Sequence, residues 1–455
     1  MEMVLEFLRD VLSQPALLIG IMSCIGLIAL KRPFHKVMTG TLKPILGYLM
    51  LAAGAGVIVN NLDPLGKMIE HGFHITGVVP NNEAIVAVAQ KVLGVETMSI
   101  LVVGLLMNLC IARFTKFKYV FLTGHHSLFM ACLMSAVLGT AGLSGMELIL
   151  VGGFLMGAWS AISPAIGQSY TSKVTDGDEI AIGHFGSLGY YLSAWVAKYV
   201  GKAEDSTEDI EIPEKWGFLR DSTLSTALTM IVFYLIAAIA AGSEFVSTLS
   251  GDMSPYLYAV MSAMNFAVGV AIVYSGVRMI LGDLIPAFQG IATKIIPNAI
   301  PAVDCAVFFT YAPTAVVLGF LSSFIGGIIG MLILGAVGGV LIIPGLVPHF
   351  FCGATAGIYG NATGGRRGAA VGAFLNGLAI TFLPAMALPV LGQLGFQNTT
   401  FGDADFAVMG LVLGNAYEWV GMAGIYGIVA IAALVLIIPN FIKTKGKVIN
   451  YVEED

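Results

Sequence analysis

Charge is scarce in this chain: Asp, Glu, Lys and Arg make up 11% of its 455 residues, where a soluble domain carries about 25%. So few charged groups cannot cover a water-facing surface, which excludes a soluble globular protein. Cysteine is sparse as well. The five cysteines, Cys24, Cys110, Cys132, Cys305 and Cys352, are odd in number and scattered, without the close pairs that a zinc or redox motif needs. They read as small packing residues, Cys305 being of note only for its neighbour Asp304. A cleavable leader is also absent, because residues 1–13 carry Glu2, Glu6, Arg9 and Asp10 in place of a basic start followed by an apolar run and a small-residue cleavage site. The first apolar run is therefore expected to stay in the protein. The glycines Gly353, Gly357, Gly364, Gly368 and Gly372 lack the Lys-Ser/Thr of a phosphate loop, so their spacing signals close helix packing. The acids Asp176, Asp178 and Glu179 lack the twelve-residue frame of a calcium loop and read as a turn.

What the chain has instead is apolar surface and glycine. Hydrophobic residues account for 57% of it, mean hydropathy is +0.88, and its 56 glycines are about 12% against a usual ~7%. This composition is that of an all-α polytopic membrane protein whose helices approach closely. Apolar runs of membrane-spanning length predict eleven spans, near 15–30, 42–60, 97–112, 119–141, 146–163, 222–246, 255–277, 304–324, 326–345, 371–393 and 420–440. An odd count puts the ends on opposite sides. All of the 22 Lys and Arg except Arg9, Lys67 and Lys91 then fall on the side of the C-terminus, which the positive-inside rule makes cytoplasmic. The N-terminus is expected outside.

Two long segments, 61–96 and 278–303, each follow the second span of a five-span set. Five is odd, so two such sets would be inverted in the membrane, a common transporter architecture. The expected organisation is a first membrane half at 1–201, a cytoplasmic linker at 202–221, a second half at 222–440 and a cytoplasmic tail at 441–455. The linker is rich in acids and reads as a solvated charge run. Residues 185–200, with Trp195 and Lys198, suit a helix lying in the membrane interface.

Polar residues at membrane depth are costly and point to function. Asp304 sits between Pro297, Pro301 and an apolar run, and an acid there costs at least ~2.5–3.5 kcal/mol on insertion scales. Its two readings are a helix N-cap and a substrate contact on broken backbone of the kind transporters use. His125 and His126 lie about 100° apart on a helix, so one is expected to face a cavity and the other to pack. A metal is not expected, for want of an i+4 partner. An imidazole both donates and accepts hydrogen bonds, which suits a hydroxyl-rich ligand. His184 follows glycine as His125 does. Asn81, Asn82 and Glu83 precede a helical pattern and make sense as caps. Arg366 and Arg367 are explained by sidedness alone.

Together, Leu122-Thr123-Gly124-His125, Lys173-Val174-Thr175-Asp176-Gly177, Ile182-Gly183-His184, Gly276-Val277-Arg278-Met279, Ala302-Val303-Asp304-Cys305-Ala306, Tyr311-Ala312-Pro313, Ala315-Val316-Val317 and Leu341-Ile342-Ile343-Pro344-Gly345 resemble the membrane-embedded IIC component of the bacterial phosphotransferase system, in its L-ascorbate branch. The resemblance implies a multi-pass protein of the bacterial inner membrane, an eleven-span homodimer in contact with lipid, each subunit divided into a dimerising part and a substrate-holding core. It also implies cytoplasmic IIB and IIA partners, with IIB phosphorylating the incoming substrate from a phosphocysteine. The IIC chain itself then carries no catalytic residue, cofactor or metal, and no nucleic-acid partner is expected. Carried over residue by residue, the substrate contacts are Asn82, Glu83, His125, His184 and Asp304, with His126, Phe129 and Phe185 beside them. The family pattern has glutamines where this chain has Phe129 and Phe185, and a serine where it has Ala55, so the mechanism transfers better than the substrate. The expected activity is uptake of L-ascorbate or a related polyol or sugar acid. A proton- or sodium-coupled transporter using Asp304 or Glu83 is the competing reading, and an intramembrane hydrolase lacks the Asp pair or spaced His motif that it would need.

Overall fold

A computed structural model describes residues 14–74, 77–80, 82–210, 222–294, 296–392 and 399–441. The helices of the first half are α1 (Pro15–Ala29), α2 (Phe34–Phe73), α3 (Asn82–Phe114), α4 (Gly124–Thr140), α5 (Gly145–Thr175) and α6 (Ser187–Val200). Those of the second half are α7 (Ser222–Ala241), α8 (Ser243–Ser250), α9 (Pro255–Lys294), α10 (Pro313–Ala336), α11 (Leu346–Gly392), α12 (Ala404–Val420) and α13 (Met422–Ile437). Seven of the described helices are long and apolar enough to cross a membrane, or eight if α7 and α8, bent by 117° at Gly242, form one span. The chain is thus an all-α polytopic membrane protein.

Several expected spans change their bounds. The runs at 304–324 and 326–345 are not two helices. The backbone is non-helical at Asp304, makes a short 3-10 turn at Cys305–Thr310, and α10 then runs unbroken through Gly326-Gly327 to Ala336. Gly338, at φ +71, turns the chain after it. Residues 346–363, between the expected spans at 326–345 and 371–393, are helical and belong to α11. The run at 119–141 begins as a strand and becomes helix only at Gly124. Residues 278–294 continue α9, so that stretch of the expected cytoplasmic segment is not a loop.

Two scaffold helices, α2 and α9, each of 40 residues, pack along one another with glycine at the contact. A Cβ on Gly54 would stand 2.8 Å from the Gly269 carbonyl, and one on Gly276 2.6 Å from the Gly47 carbonyl. Residues 47 and 54 therefore meet 276 and 269, an antiparallel pairing that only hydrogen side chains permit. Gly353 and Gly357 meet Gly319 of α10 in the same manner, as their spacing suggests.

Short parallel strands join the halves. Strand β4 (Ile300–Val303) lies between β2 (Tyr119–Phe121) and β3 (Ala181–Ile182). Pro301 has no N–H, and the ladder with β2 is made around it, by Ile300 N–H to the Lys118 carbonyl and Leu122 N–H to the Ala302 carbonyl, both at 2.9 Å. β1 (Val79–Pro80) pairs with β5 (Thr399–Thr400), and Val78 bridges to Ile342 on its other side. In the three-stranded sheet the middle strand comes from the second half and both neighbours from the first, and in the two-stranded sheet the strands come from different halves.

The described part of the linker keeps Glu204, Asp205, Glu208 and Asp209 exposed, as a solvated run would, and is also docked at a few points. Helix α11 breaks at Gly364 and Gly365, the latter at φ +60. Arg366 N–H, just past the break, donates to the Asp205 carbonyl at 2.8 Å. Thr207 N–H donates to Asn361 Oδ1 at 2.8 Å. Glu208 caps α10, accepting from Thr314 N–H at 3.0 Å, Thr314 Oγ1 at 2.9 Å and Ala315 N–H at 3.1 Å. Residues 211–221 lie outside the described residues, as does the tail from 442. Helix α6 turns Tyr190, Tyr191, Ala194 and Ala197 inward and leaves Trp195 and Tyr199 exposed. Its inner face rests on protein, since Ser193 Oγ donates to the Ala356 carbonyl of α11 at 2.6 Å.

Candidate substrate site

The ends of the short strands aim polar residues into one cavity of about 1290 Å3. This exceeds the roughly 300–1,000 Å3 of a single ligand pocket, and the cavity combines a site with a vestibule along α2. At the site end β4 delivers Asp304, β3 delivers His184, and the start of α4 delivers His125 and His126. Asp304 follows β4 directly, Gly183 separates β3 from His184, and Leu122-Thr123-Gly124 separates β2 from His125.

Asp304 caps the turn that follows it and also lines the cavity. Its Oδ1 accepts from Ala306 N–H at 3.3 Å, capping the 3-10 turn. Its Oδ2 stands 3.4 Å from His125 Nε2. His125 Nδ1 is 3.2 Å from the Tyr48 hydroxyl of α2, so a chain of contacts runs from the scaffold helix to the acid. Both adjacent histidines reach the cavity wall, contrary to the expectation that one of them only packs. His125 is the more open. His126 is 3% exposed and lies beneath it, its ring centroid 3.7 Å from that of His184 and parallel to Phe406.

Backbone amides settle how these two buried rings are protonated. Phe185 N–H donates to His126 Nδ1 at 3.3 Å, and Gly186 N–H to His184 Nδ1 at 3.1 Å. An amide N–H cannot accept, so each ring carries its hydrogen on Nε2. The Tyr190 hydroxyl also contacts His184 Nδ1, at 2.8 Å.

Two groups of potential metal donors come together here, with donor atoms within 4.8 Å of one another: His126, His184 and Asp403, and His184, Asp304 and Cys305. A histidine that binds metal through Nε2 donates its Nδ1–H to an acceptor. The amide donors at Nδ1 oppose that arrangement. The set suits hydrogen bonding to a polar organic ligand better than metal.

The other sequence candidates separate. Asn82 lines the cavity, but its amide is engaged at both ends, with Nδ2 donating to Asp403 Oδ2 at 2.6 Å and Oδ1 accepting from Gly402 N–H at 2.9 Å. The side chain of Glu83, and Asn81 altogether, lie outside the described residues. Phe129 lines the wall, edge-on to His125. Phe185 does not line it. Fully buried, it stacks on Phe121 at 4.6 Å and meets Phe406 at 70°. Ala55 is in the wall.

Asp403, Cys352, Tyr190 and Tyr48 were not foreseen. Cys352 is more than packing, because its Sγ donates to Asp403 Oδ1 at 2.7 Å. Asp403 offered a signal akin to that of Asp304, an acid beside apolar residues, but it falls between the expected spans at 371–393 and 420–440. Its neighbour Asp405 is wholly buried and holds elements together, accepting from Leu188 N–H at 2.9 Å, Ser187 Oγ at 2.8 Å and Trp159 Nε1 at 3.3 Å.

Comparison with known proteins bears on this geometry. The family model of the sugar-specific permease component of the phosphotransferase system (PTS) matches residues 10–405. The ascorbate-specific PTS system EIIC component of Mycoplasma pneumoniae is 26% identical over 474 aligned residues, covering 90% of this chain and 70% of the relative.

Proposed function

Because the chain belongs to the family of sugar-specific permease components of the phosphotransferase system, we propose that it takes up L-ascorbate, or a closely related polyol or sugar acid, and presents a substrate hydroxyl to a cytoplasmic IIB subunit, itself supplied by IIA, for phosphorylation. The observation that carries the reading is the convergence of Asp304, His125, His126 and His184 on one cavity beside a scaffold helix. Imidazole N–H groups donate to substrate oxygens, and carboxylates accept from substrate hydroxyls. The phosphoryl group would stay on the partner, and this chain would bind, move and orient. The name of the Mycoplasma pneumoniae relative favours ascorbate as the substrate.

The architecture supports transport by inverted halves. β4 of the second half inserts between strands of the first, and β1 of the first half pairs with β5 of the second and bridges to Ile342. An eleven-span reading follows when α1, α4, the α7–α8 pair and the two parts of α11 on either side of Gly364 are counted with the remaining long helices. On the Lys/Arg split the N-terminus is outside and the strap at 202–210 is cytoplasmic. The cavity runs along α2 towards Asp63, Lys67 and Glu70, at the end of the helix that this orientation puts outside. The state is then outward-open. A homodimer in the inner membrane completes the reading.

Uptake into membrane vesicles tests it. Radiolabelled L-ascorbate, galactitol and pentitols should enter only with phosphoenolpyruvate and the soluble phosphotransferase proteins, and the product should be phosphorylated. Asp304→Asn should abolish high-affinity uptake without preventing membrane insertion. Uptake driven by a pH or sodium gradient alone would favour a secondary transporter, and normal uptake by Asp304→Asn would remove that acid from the site.

A further inference from the structure

Asp403 is a second buried carboxylate in the cavity wall, 4% exposed, and no Lys or Arg pairs with it among the described residues. Burying an acid without a cation is costly unless hydrogen-bond donors surround it. Asp403 has two such donors, the Asn82 amide on Oδ2 and the Cys352 thiol on Oδ1. An ionised carboxylate has about four acceptor positions. Two are therefore open on a group that faces the cavity.

The same corner holds unmatched donors. His126 and His184 are each 3% exposed and carry their hydrogens on Nε2, and neither Nε2 has a protein partner among the described residues. A ring nitrogen of each histidine lies within 4.8 Å of a carboxylate oxygen of Asp403, and a ring nitrogen of His184 lies within the same distance of one of Asp304. His184 thus lies between the two carboxylates, with His126 beside Asp403. A hydroxyl both accepts and donates, and two hydroxyls on adjacent carbons would satisfy the set.

We propose that Asp403 is a substrate-contacting carboxylate which, with Asp304 on the other side of His184, grips two neighbouring hydroxyls of the substrate, Asn82 and Cys352 serving as the positioning residues that aim it. This rests on the cavity being the substrate site, and it assigns the ligand class as a compound with hydroxyls on adjacent carbons. It also revises Asn82 from a direct contact to a residue that acts through Asp403.

Binding of radiolabelled L-ascorbate, galactitol and xylitol to the full-length protein in lipid nanodiscs tests the assignment, with wild type compared with Asp403→Asn and, as a second variant, Asp403→Ser. Size-exclusion elution and thermal melting verify that each variant is folded. For the compound that binds wild type, the variants should weaken affinity about 10- to 100-fold, the range for losing a hydrogen bond to a charged group. An analogue lacking one hydroxyl should bind wild type and variant equally, because the contact is already gone. Unchanged affinity in both folded variants overturns the proposal, as does an equal loss for the parent compound and every deoxy analogue, the mark of a merely structural role. If galactitol or xylitol gives the expected pattern and L-ascorbate does not bind, the ascorbate reading falls and the role of Asp403 stands.

Discussion

Two phenylalanines take the places where the related family pattern carries glutamines, and their surroundings make opposite demands. Phe185 is fully buried, stacked on Phe121 and set against Phe406. Phe129 is 8% exposed and borders the cavity beside His125 and His126. A glutamine at 185 would lose the aromatic contact and leave an amide without partners, at about 1–3 kcal/mol for the amide alone. At 129 the amide would reach the cavity. Phe185→Gln should therefore accumulate poorly and elute as aggregate. Phe129→Gln should stay monodisperse and bind the hydroxylated substrate about 2- to 10-fold more tightly, the gain of one ordinary hydrogen bond. Size-exclusion profiles and binding isotherms of the two variants check both halves of the statement. Asp304, His125, His126 and His184 were legible in the sequence because a polar group at membrane depth is expensive wherever it sits. Asp403 was not, because it lies between the expected spans at 371–393 and 420–440, and cost arguments apply only where burial is expected. Tyr48, Tyr190 and Cys352 carry no such signal, since such residues are ordinary in apolar helices and only their partners reveal them.

At the scale of elements, the linker shows how a charged stretch acquires structure. Residues 202–210 follow α6, cross the break in α11 and end on the first turn of α10, where Glu208 meets the free amides of Thr314 and Ala315. An acid at a helix N-terminus stabilises it by about 0.3–1 kcal/mol, less when exposed to salt. Asp205 contributes only its backbone carbonyl, to Arg366. Glu208→Gln should lower the melting temperature of the detergent-solubilised protein, more at low ionic strength than at high. Asp205→Asn should leave it unchanged, and equal effects from both would show that general charge, not capping, holds the strap. Composition fixed the long helices well, because a membrane span is mostly a matter of length and apolarity. The strands and the start of α4 escaped it. Tyr119–Phe121 and Ile300–Val303 are too short for a period to show, and their pairing partners are far away in the chain.

For the whole molecule, the exchange of strands means that neither half forms its end of the site alone: β4 of the second half carries Asp304 into a sheet made by the first, and β1 of the first pairs with β5 of the second. Which side of the membrane the cavity meets follows from charge. The Lys31–Lys43 end of α2 carries four cations and the other end carries Lys67, which is paired with Asp63 at 2.8 Å. Cations are retained on the cytoplasmic side, so Lys67 and the vestibule should face out while Lys202 faces in. A membrane-impermeant maleimide checks this once Cys24 and Cys110, the two cysteines that are not buried, are replaced by serine. Lys67→Cys should react in right-side-out vesicles and be protected in inside-out ones, and Lys202→Cys should do the reverse. The opposite pattern would invert the molecule and make the cavity inward-open. Reaction of Lys67→Cys from outside would fix the present state as the one that receives substrate from that side.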